Sequence, residues 1–187
     1  VVALNDRYGF INKHGDLQIP CKYESVGDFN NGLSIVELNG KMGMIDRNGR
    51  FLLECVYHDF GVFSEGMVYA GLNDKYGYYD SNGKEVIPHK FDDAYDFHDG
   101  IANIENEGKQ SIINTAGDYE IPLAHSGIKL YYDTLYTFEE DGFYGIMNHK
   151  AQIFVVPIYT AISSVHNGLA IASIQDRVVY LDTLGTM

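Results

Sequence analysis

The sequence repeats with a period of 34 residues. Tyr8, Met42 and Tyr76 are each followed by glycine and stand 34 positions apart. A second column with the same spacing closes a turn and consists of Gly15, Gly49, Gly83, Gly117, Ala151 and Gly185. Such a period is typical of repeat proteins, in which neighbouring units stabilise one another. The sequence therefore predicts a single repeat domain, 1–187, with repeats at approximately 1–32, 33–66, 67–100, 101–134, 135–168 and 169–187, the last of them incomplete.

The repeat at 67–100 shows the pattern of one unit most clearly. Met67 begins an apolar stretch, and Tyr76 begins a second stretch after a polar turn. A third stretch, 84–87, is expected to end at Pro88, because proline has no N–H to donate to a β ladder. The pattern predicts three short strands, followed by an irregular arm that leads through Gly100 to the next repeat.

One turn recurs in every repeat. Its first residue is always Asn or Asp, namely Asn12, Asp46, Asp80, Asn114, Asn148 and Asp182. Such side chains accept hydrogen bonds from backbone amides two residues on, and a glycine three residues later suits a positive φ. The combination predicts a short hairpin with a bulge. Turn chemistry accounts for this column, so we do not interpret it as a ladder of metal ligands.

Two columns of large side chains predict the core. They are Tyr23, Tyr57, Phe91, His125 and Tyr159, and Phe29, Phe63, Phe97, Tyr131 and Val165. One repeat has too few such residues to offset the entropy of ordering it, so stacking on neighbours must supply the missing burial. The predicted fold class is all-β, with tandem repeats of short antiparallel three-stranded sheets in an open superhelix or solenoid. The alternative is a closed β-propeller of five or six blades.

The composition excludes some classes of partner. The net charge of −13 repels phosphate backbones, so no nucleic acid partner is expected. No apolar run reaches the ~20 residues that span a bilayer, so no membrane insertion is expected. The chain begins at Val1 in the middle of the pattern, without an initiator Met, and we therefore expect a processed chain or a piece of a longer protein.

No sequence pattern points to catalysis, and we predict no catalytic residue, cofactor or metal. Cys21 and Cys55 are one period apart, which leaves open two small buried side chains or a disulfide between neighbouring repeats. With His89 they form a column of soft metal ligands, which we consider too weak a pattern for a metal site. The spacing of the acids Asp92, Asp93, Asp96 and Asp99 does not match a calcium loop, so they are expected to cap turns.

The third repeat resembles the WG-repeat family. Residues 73–88 read Asn-Asp-Lys-Tyr-Gly-Tyr-Tyr-Asp-Ser-Asn-Gly-Lys-Glu-Val-Ile-Pro, followed by Phe-Asp-Asp-Ala at 91–94 and Phe-His-Asp-Gly at 97–100. The family's units run Lys-Trp-Gly, hairpin, Ile-Pro, aromatic-Asp-Asp and then Phe-x-x-Gly-Leu. The tryptophan is absent, and its place is taken by Tyr8, Met42, Tyr76 and Tyr144. The resemblance implies a bacterial, all-β interaction repeat within a larger protein or assembly, without catalytic residues of its own.

The resemblance favours a protein–protein interaction or scaffold role, so a protein partner is predicted. The alternative is a carbohydrate- or cell-wall-binding module that stacks a glycan on exposed tyrosines. The fourth repeat departs most from the pattern, between Leu123 and Tyr136. Sequence drift in a unit held by its neighbours is one interpretation. The other is a specialised patch that binds the partner through Tyr131, Tyr132 and Tyr136.

Overall fold

The computed structural model describes residues 1–121 and 125–187. These residues form twenty-one β-strands and no α-helix, so the described chain contains no helix long and apolar enough to cross a membrane. The strands are β1 (Val2–Leu4), β2 (Arg7–Ile11), β3 (Leu17–Tyr23), β4 (Ser25–Val26), β5 (Leu33–Leu38), β6 (Lys41–Asp46), β7 (Phe51–Tyr57), β8 (Asp59–Phe60), β9 (Met67–Leu72), β10 (Lys75–Asp80), β11 (Glu85–Phe91), β12 (Asp93–Ala94), β13 (Ile101–Asn106), β14 (Lys109–Asn114), β15 (Ser126–Tyr132), β16 (Leu135–Glu140), β17 (Phe143–Asn148), β18 (Ile153–Tyr159), β19 (Ala161–Ile162), β20 (Ala170–Ile174) and β21 (Arg177–Leu181).

The strands form small antiparallel sheets in two compact units, Val1–Gly100 and Ile101–Met187. The first unit has the strand orders β1-β2-β3, β4-β5-β6-β7 and β11-β10-β9-β8. The second unit contains the hairpin β13-β14 and the sheets β15-β16-β17-β18 and β19-β20-β21. No sheet in the described residues closes into a barrel. The all-β, tandem-repeat fold class is confirmed, while the single domain and the limits of the six repeats stay predictions.

The recurring turn has the hydrogen bonds that its sequence predicts. In every repeat the Asn or Asp Oδ1 accepts from the backbone N–H groups two and four residues on. For Asp80 the donors are Asn82 at 2.8 Å and Lys84 at 2.9 Å. The residue three positions after the Asn or Asp has a positive φ in each turn, including 57° at Ala151. In the first, second, third and fifth repeats these turns fix the hairpin between the second and third strands.

The third strand of a repeat pairs with the second strand and approaches it most closely at a glycine, which we call the crossing glycine. A Cβ atom on Gly77 would lie 2.7 Å from the carbonyl O of Ile87 and 2.8 Å from the backbone N of His89. A Cβ atom would meet backbone at 2.4 to 2.6 Å in three other repeats, at Gly9, Gly43 and Gly145. The glycine after the aromatic position is therefore required by this close approach of two backbones.

The third strand does not end at Pro88, so that part of the sequence prediction was wrong. β11 continues through Pro88 to Phe91. β11 is the edge strand of its sheet, and a proline is tolerated on an edge where its nitrogen needs no ladder partner. The arm that follows is also less irregular than expected, because Asp93–Ala94 forms a short strand.

The core of each compact unit lies between consecutive repeats. Tyr23 of the first repeat shares a cluster with Val36 of the second repeat. Tyr57 shares the next cluster with Val68 and Tyr79, and the Tyr57 hydroxyl donates to the Tyr79 hydroxyl at 2.9 Å. Two comparable clusters join consecutive repeats in the second compact unit. Within each compact unit, consecutive sheets therefore complete their burial against one another, as the period predicts.

Hydrogen bonds also join the arms of consecutive repeats. The side chain of Asn30 donates to the carbonyl O of Phe63 at 3.3 Å, and the hydroxyl of Ser64 donates to the carbonyl O of Phe97 at 2.7 Å. In the second compact unit, the backbone N–H of Val165 donates to the carbonyl O of Tyr131 at 3.1 Å. The arms are thus held at the spacing of the repeat.

The fourth repeat departs from this plan at Ser111, which replaces the crossing glycine. The Ser111 hydroxyl donates to the carbonyl O of Ile121, the residue equivalent to Ile87. The chain still returns alongside β14, because Ile113 bridges to Tyr119 and Gln110 bridges to His125. Residues 115–121 contain no named strand, and β15 pairs with β16 as β4, β8 and β19 pair with β5, β9 and β20.

Candidate functional site

The three tyrosines predicted to bind a partner do not share one surface. Tyr131 is 2 % exposed, and its hydroxyl donates to the carbonyl O of Asp182. Burial, followed by the charge of Asp182, raises the pKa of Tyr131 to about 12. Tyr136 is 6 % exposed and belongs to the cluster that contains Phe138, whereas Tyr132 is 47 % exposed.

This separation corrects the expected patch of three residues. Tyr131 and Tyr132 are neighbours in β15, and the first side chain faces the core while the second faces solvent. Partner binding stays a prediction for Tyr132. Leu123, at the start of the divergent stretch, lies outside the described residues.

Another part of the second compact unit exposes large apolar side chains. Phe154, Val156 and Ile158 are 50 %, 58 % and 43 % exposed. They alternate with less exposed residues along β18, which is an edge strand with register shifts in its pairing to β17. We call these three residues the β18 surface.

The β18 surface is particular to the fifth repeat. Equivalent positions hold Gln18, Pro20 and Lys22 in β3, Leu52, Glu54 and Val56 in β7, and Val86, Pro88 and Lys90 in β11. Each of these sets interrupts the apolar character with a charged residue. Among the third strands that the structure describes, β18 alone has three apolar residues there. The sequence shows this difference between the repeats, but a comparison limited to the columns of predicted core residues does not reveal it.

An open cleft adjoins the β18 surface. Its volume is about 430 Å³, and it is lined by Phe143, Pro157, Ile158, Ile174 and Gln175. Phe143 is 43 % exposed. Because Ile158 belongs to both the cleft and the β18 surface, the two form one apolar region. A concave apolar region of this kind suits the side chains of another polypeptide.

The hairpin between β16 and β17 places acids beside this cleft. We call Glu139, Glu140 and Asp141 the acidic tip. They line a second cleft of about 460 Å³ together with Glu107, Gly108, Lys109, His125 and Ser126. Within residues 1–121 and 125–187, the acidic tip forms no salt bridge. Glu140 pairs across the hairpin with Phe143, so one residue of this pair lines the acidic cleft and the other lines the apolar cleft.

The cysteines and His89 do not form a metal site in the described chain. Cys21 and Cys55 are free thiols, and their Sγ atoms donate to the carbonyl O atoms of Val2 and Val36, respectively. No group of three or more His, Cys, Asp or Glu side chains is placed to hold a metal ion in residues 1–121 and 125–187. The two thiols thus take equivalent structural places in successive repeats.

Two of the acids of 92–99 accept hydrogen bonds from backbone amides. Asp93 accepts from the N–H of Ala94, and Asp96 accepts from the N–H of Val62, both at 2.8 Å. Burial raises the pKa of Asp96 despite this hydrogen bond. These contacts agree with the expected role in local backbone structure.

A comparison with known protein families finds a match along most of the chain. The model of the WG containing repeat matches residues 8–41, 42–76, 76–109 and 144–176. The unmatched stretch between the third and fourth matches includes Ser111 and β15, where the structure departs from the repeat plan. A search of curated proteins found no match.

Solved structures resemble the chain in fold alone. A structure described as the crystal structure of the eukaryotic initiation factor aligns with a TM-score of 0.54 at 9 % identity, covering 88 % of this chain and 53 % of that chain. The structure of Kluyveromyces lactis Hsv2p aligns with a TM-score of 0.47 at 10 % identity, covering 84 % of this chain and 60 % of that chain. The chain therefore spans little more than half of these proteins. The four family matches cover most of its residues, and the chain belongs to the WG-repeat family.

Proposed function

We propose that this chain is a non-catalytic protein-interaction repeat domain, and that the β18 surface and its cleft bind an apolar segment of a partner protein. The supporting observation is that Phe154, Val156 and Ile158 are exposed together on an edge strand. Contiguous apolar patches on a protein surface commonly mark interaction sites. Membership of a repeat family supports the same role, because repeats present extended surfaces to partners.

The size of the expected effect follows from burial. Fully burying a Phe or Ile side chain contributes about 1.5 to 3 kcal/mol. A residue that is about half exposed has roughly half of that left to gain on binding, and hot-spot positions exceed it. We expect Phe154→Ser and Ile158→Ser each to weaken binding about tenfold, which corresponds to about 1.4 kcal/mol.

A displayed library of random peptides tests this proposal on the chain itself. The immobilised chain is used to enrich binding peptides, and the affinity of the enriched peptides is then measured for the chain and for both serine variants. Val86→Ser is the matched control, because Val86 takes the place of Phe154 in β11 and is 39 % exposed. The control should leave the affinity unchanged.

Two results would count against the proposal. One is the absence of enriched peptides. The other is a set of peptides that binds the serine variants as tightly as the unmodified chain, which would place the binding surface elsewhere.

The carbohydrate alternative has less support. Large exposed tyrosines occur at Tyr8, Tyr95, Tyr119, Tyr132 and Tyr180. In the strand pairings of the described residues, no two of these are cross-strand neighbours, so they form no stacking platform within a sheet. Glycan-array binding that is lost in Tyr132→Ala would nevertheless favour it.

A further inference from the structure

In each repeat a hairpin joins the first long strand to the second. The fifth repeat differs from the others at the residue pair that closes this hairpin. In those hairpins a basic residue begins the second strand: Arg7, Lys41, Lys75, Lys109 and Arg177. Opposite them lie Leu4, Leu38, Leu72, Asn106 and Ile174. In the fifth repeat Phe143 replaces the basic residue, and Glu140 replaces its uncharged partner.

The reversal removes a cation from the tip. Arg7 forms a salt bridge with Glu24 at 2.8 Å, and Lys75 forms one with Asp92 at the equivalent positions. The fifth repeat has Phe143 and Thr160 at these positions, so neither partner is charged. At the same tip the chain places Glu139, Glu140 and Asp141. Lys109 lines the same cleft, but the carboxylates outnumber it, so the lining is negative.

We propose that the acidic tip and the cleft at Phe143 together bind a partner segment in which Lys or Arg stands beside a large apolar residue. This proposal rests on the proposed function and names the chemistry of the partner. Glu140 and Phe143 are directly opposite across the hairpin, and such side chains have Cβ atoms about 5 Å apart on the same face. A cationic head can therefore contact Glu140 while the neighbouring apolar side chain packs on Phe143 and Ile158.

The charge of the chain favours a basic partner over a second copy. The net charge is −13, so two copies repel each other at this tip, whereas a basic segment is attracted to it. The apolar cleft adds a second requirement, which is a large apolar residue in the partner segment. A segment that is basic but has no large apolar residue leaves Phe143 and Ile158 exposed and gains less.

Salt-dependent binding of the enriched peptides tests this proposal. The peptides from the library are expected to share a Lys or Arg within about two residues of a Phe, Leu, Ile or Met. Fluorescein-labelled copies are then titrated by anisotropy at about 50 and about 200 mM NaCl. Glu140→Gln with Asp141→Asn should weaken binding about fivefold at low salt and reduce the effect of salt. Asparagine suits position 141 because the φ there is 52°.

Two further variants test whether the effect on binding is specific to the acidic tip and Phe143. Glu54→Gln with Asp74→Asn removes the same charge from exposed positions of the first compact unit and should leave binding unchanged. Glu140→Leu with Phe143→Lys installs the pair found at Leu72 and Lys75, which the fold already accommodates. This variant should keep the circular dichroism spectrum and lose most of the affinity.

The two proposals fail in different ways. If the enriched peptides lack basic residues, or the charge variant leaves affinity and salt dependence unchanged while Ile158→Ser abolishes binding, the basic-segment proposal is overturned and the proposed function stands. If Phe154→Ser and Ile158→Ser also bind normally, the proposed function is overturned as well.

Discussion

Replacing the crossing glycine of the third repeat should destabilise the protein far more than an ordinary Gly-to-Ala change. In Gly77→Ala, the new Cβ would lie 2.7 Å from the carbonyl O of Ile87, whereas ordinary contacts begin at 3.4 Å. Strands β10 and β11 must therefore separate locally by roughly 0.7 Å. A separation of that size takes hydrogen bonds of about 2.9 Å beyond the usual limit.

The expected loss in the free energy of unfolding follows from the hydrogen bonds that break and the strain that is introduced. One or two ladder bonds at about 1 kcal/mol each, together with about 1 to 2 kcal/mol of backbone strain, give a loss of about 3 kcal/mol. Gly27→Ala is the control, because a Cβ there has its nearest contact at 3.6 Å and φ is not in the positive range. Urea unfolding followed by circular dichroism measures both variants.

A loss of less than about 0.5 kcal/mol in Gly77→Ala would refute the reasoning, since the close approach of the two backbones would then cost nothing. The converse variant, Ser111→Gly, gives a second check. It opens the crossing position of the fourth repeat and should not destabilise the chain beyond the loss of the Ser111 hydrogen bond to Ile121.

The remaining predictions concern single side chains, with unfolding by urea as the measurement. Ala151→Gly should stabilise the chain by about 1 kcal/mol, because alanine at a φ of 57° is strained and glycine is not. If stability does not increase, glycine at this turn position does not stabilise the other five turns either. Tyr131→Ala should cost about 3 to 5 kcal/mol, as for other buried aromatics, whereas Tyr132→Ala should cost less than about 1 kcal/mol. Equal losses from the two would contradict the assignment of one face to the core and the other to solvent.

The sequence predicted features that depend on local chemistry and on the period. The turn that begins at Asn114 follows from an amide side chain and a glycine three residues later, and it forms even in the divergent fourth repeat. The end of the third strand was mispredicted because the tolerance of Pro88 depends on β11 being an edge strand, which the linear pattern does not show.

The candidate site was harder to predict because it depends on which residues lie opposite each other on neighbouring strands. Tyr131 belongs to a predicted core column, but the exposure of Tyr132 depends on the strand β15, which the divergent sequence does not show. The exchange of Glu140 and Phe143 is visible in the sequence, but its meaning depends on these residues being cross-strand partners. Periodicity alone could not show that relation.

The arm-to-arm hydrogen bonds leave individual repeats free to vary in sequence. Asn30 and Ser64 donate to main-chain oxygens of the following repeat, and every residue type offers such an oxygen. The accepting module can therefore exchange its side chains without losing these two hydrogen bonds to the module before it. One module of such an array can acquire a new specificity while its companions keep the register.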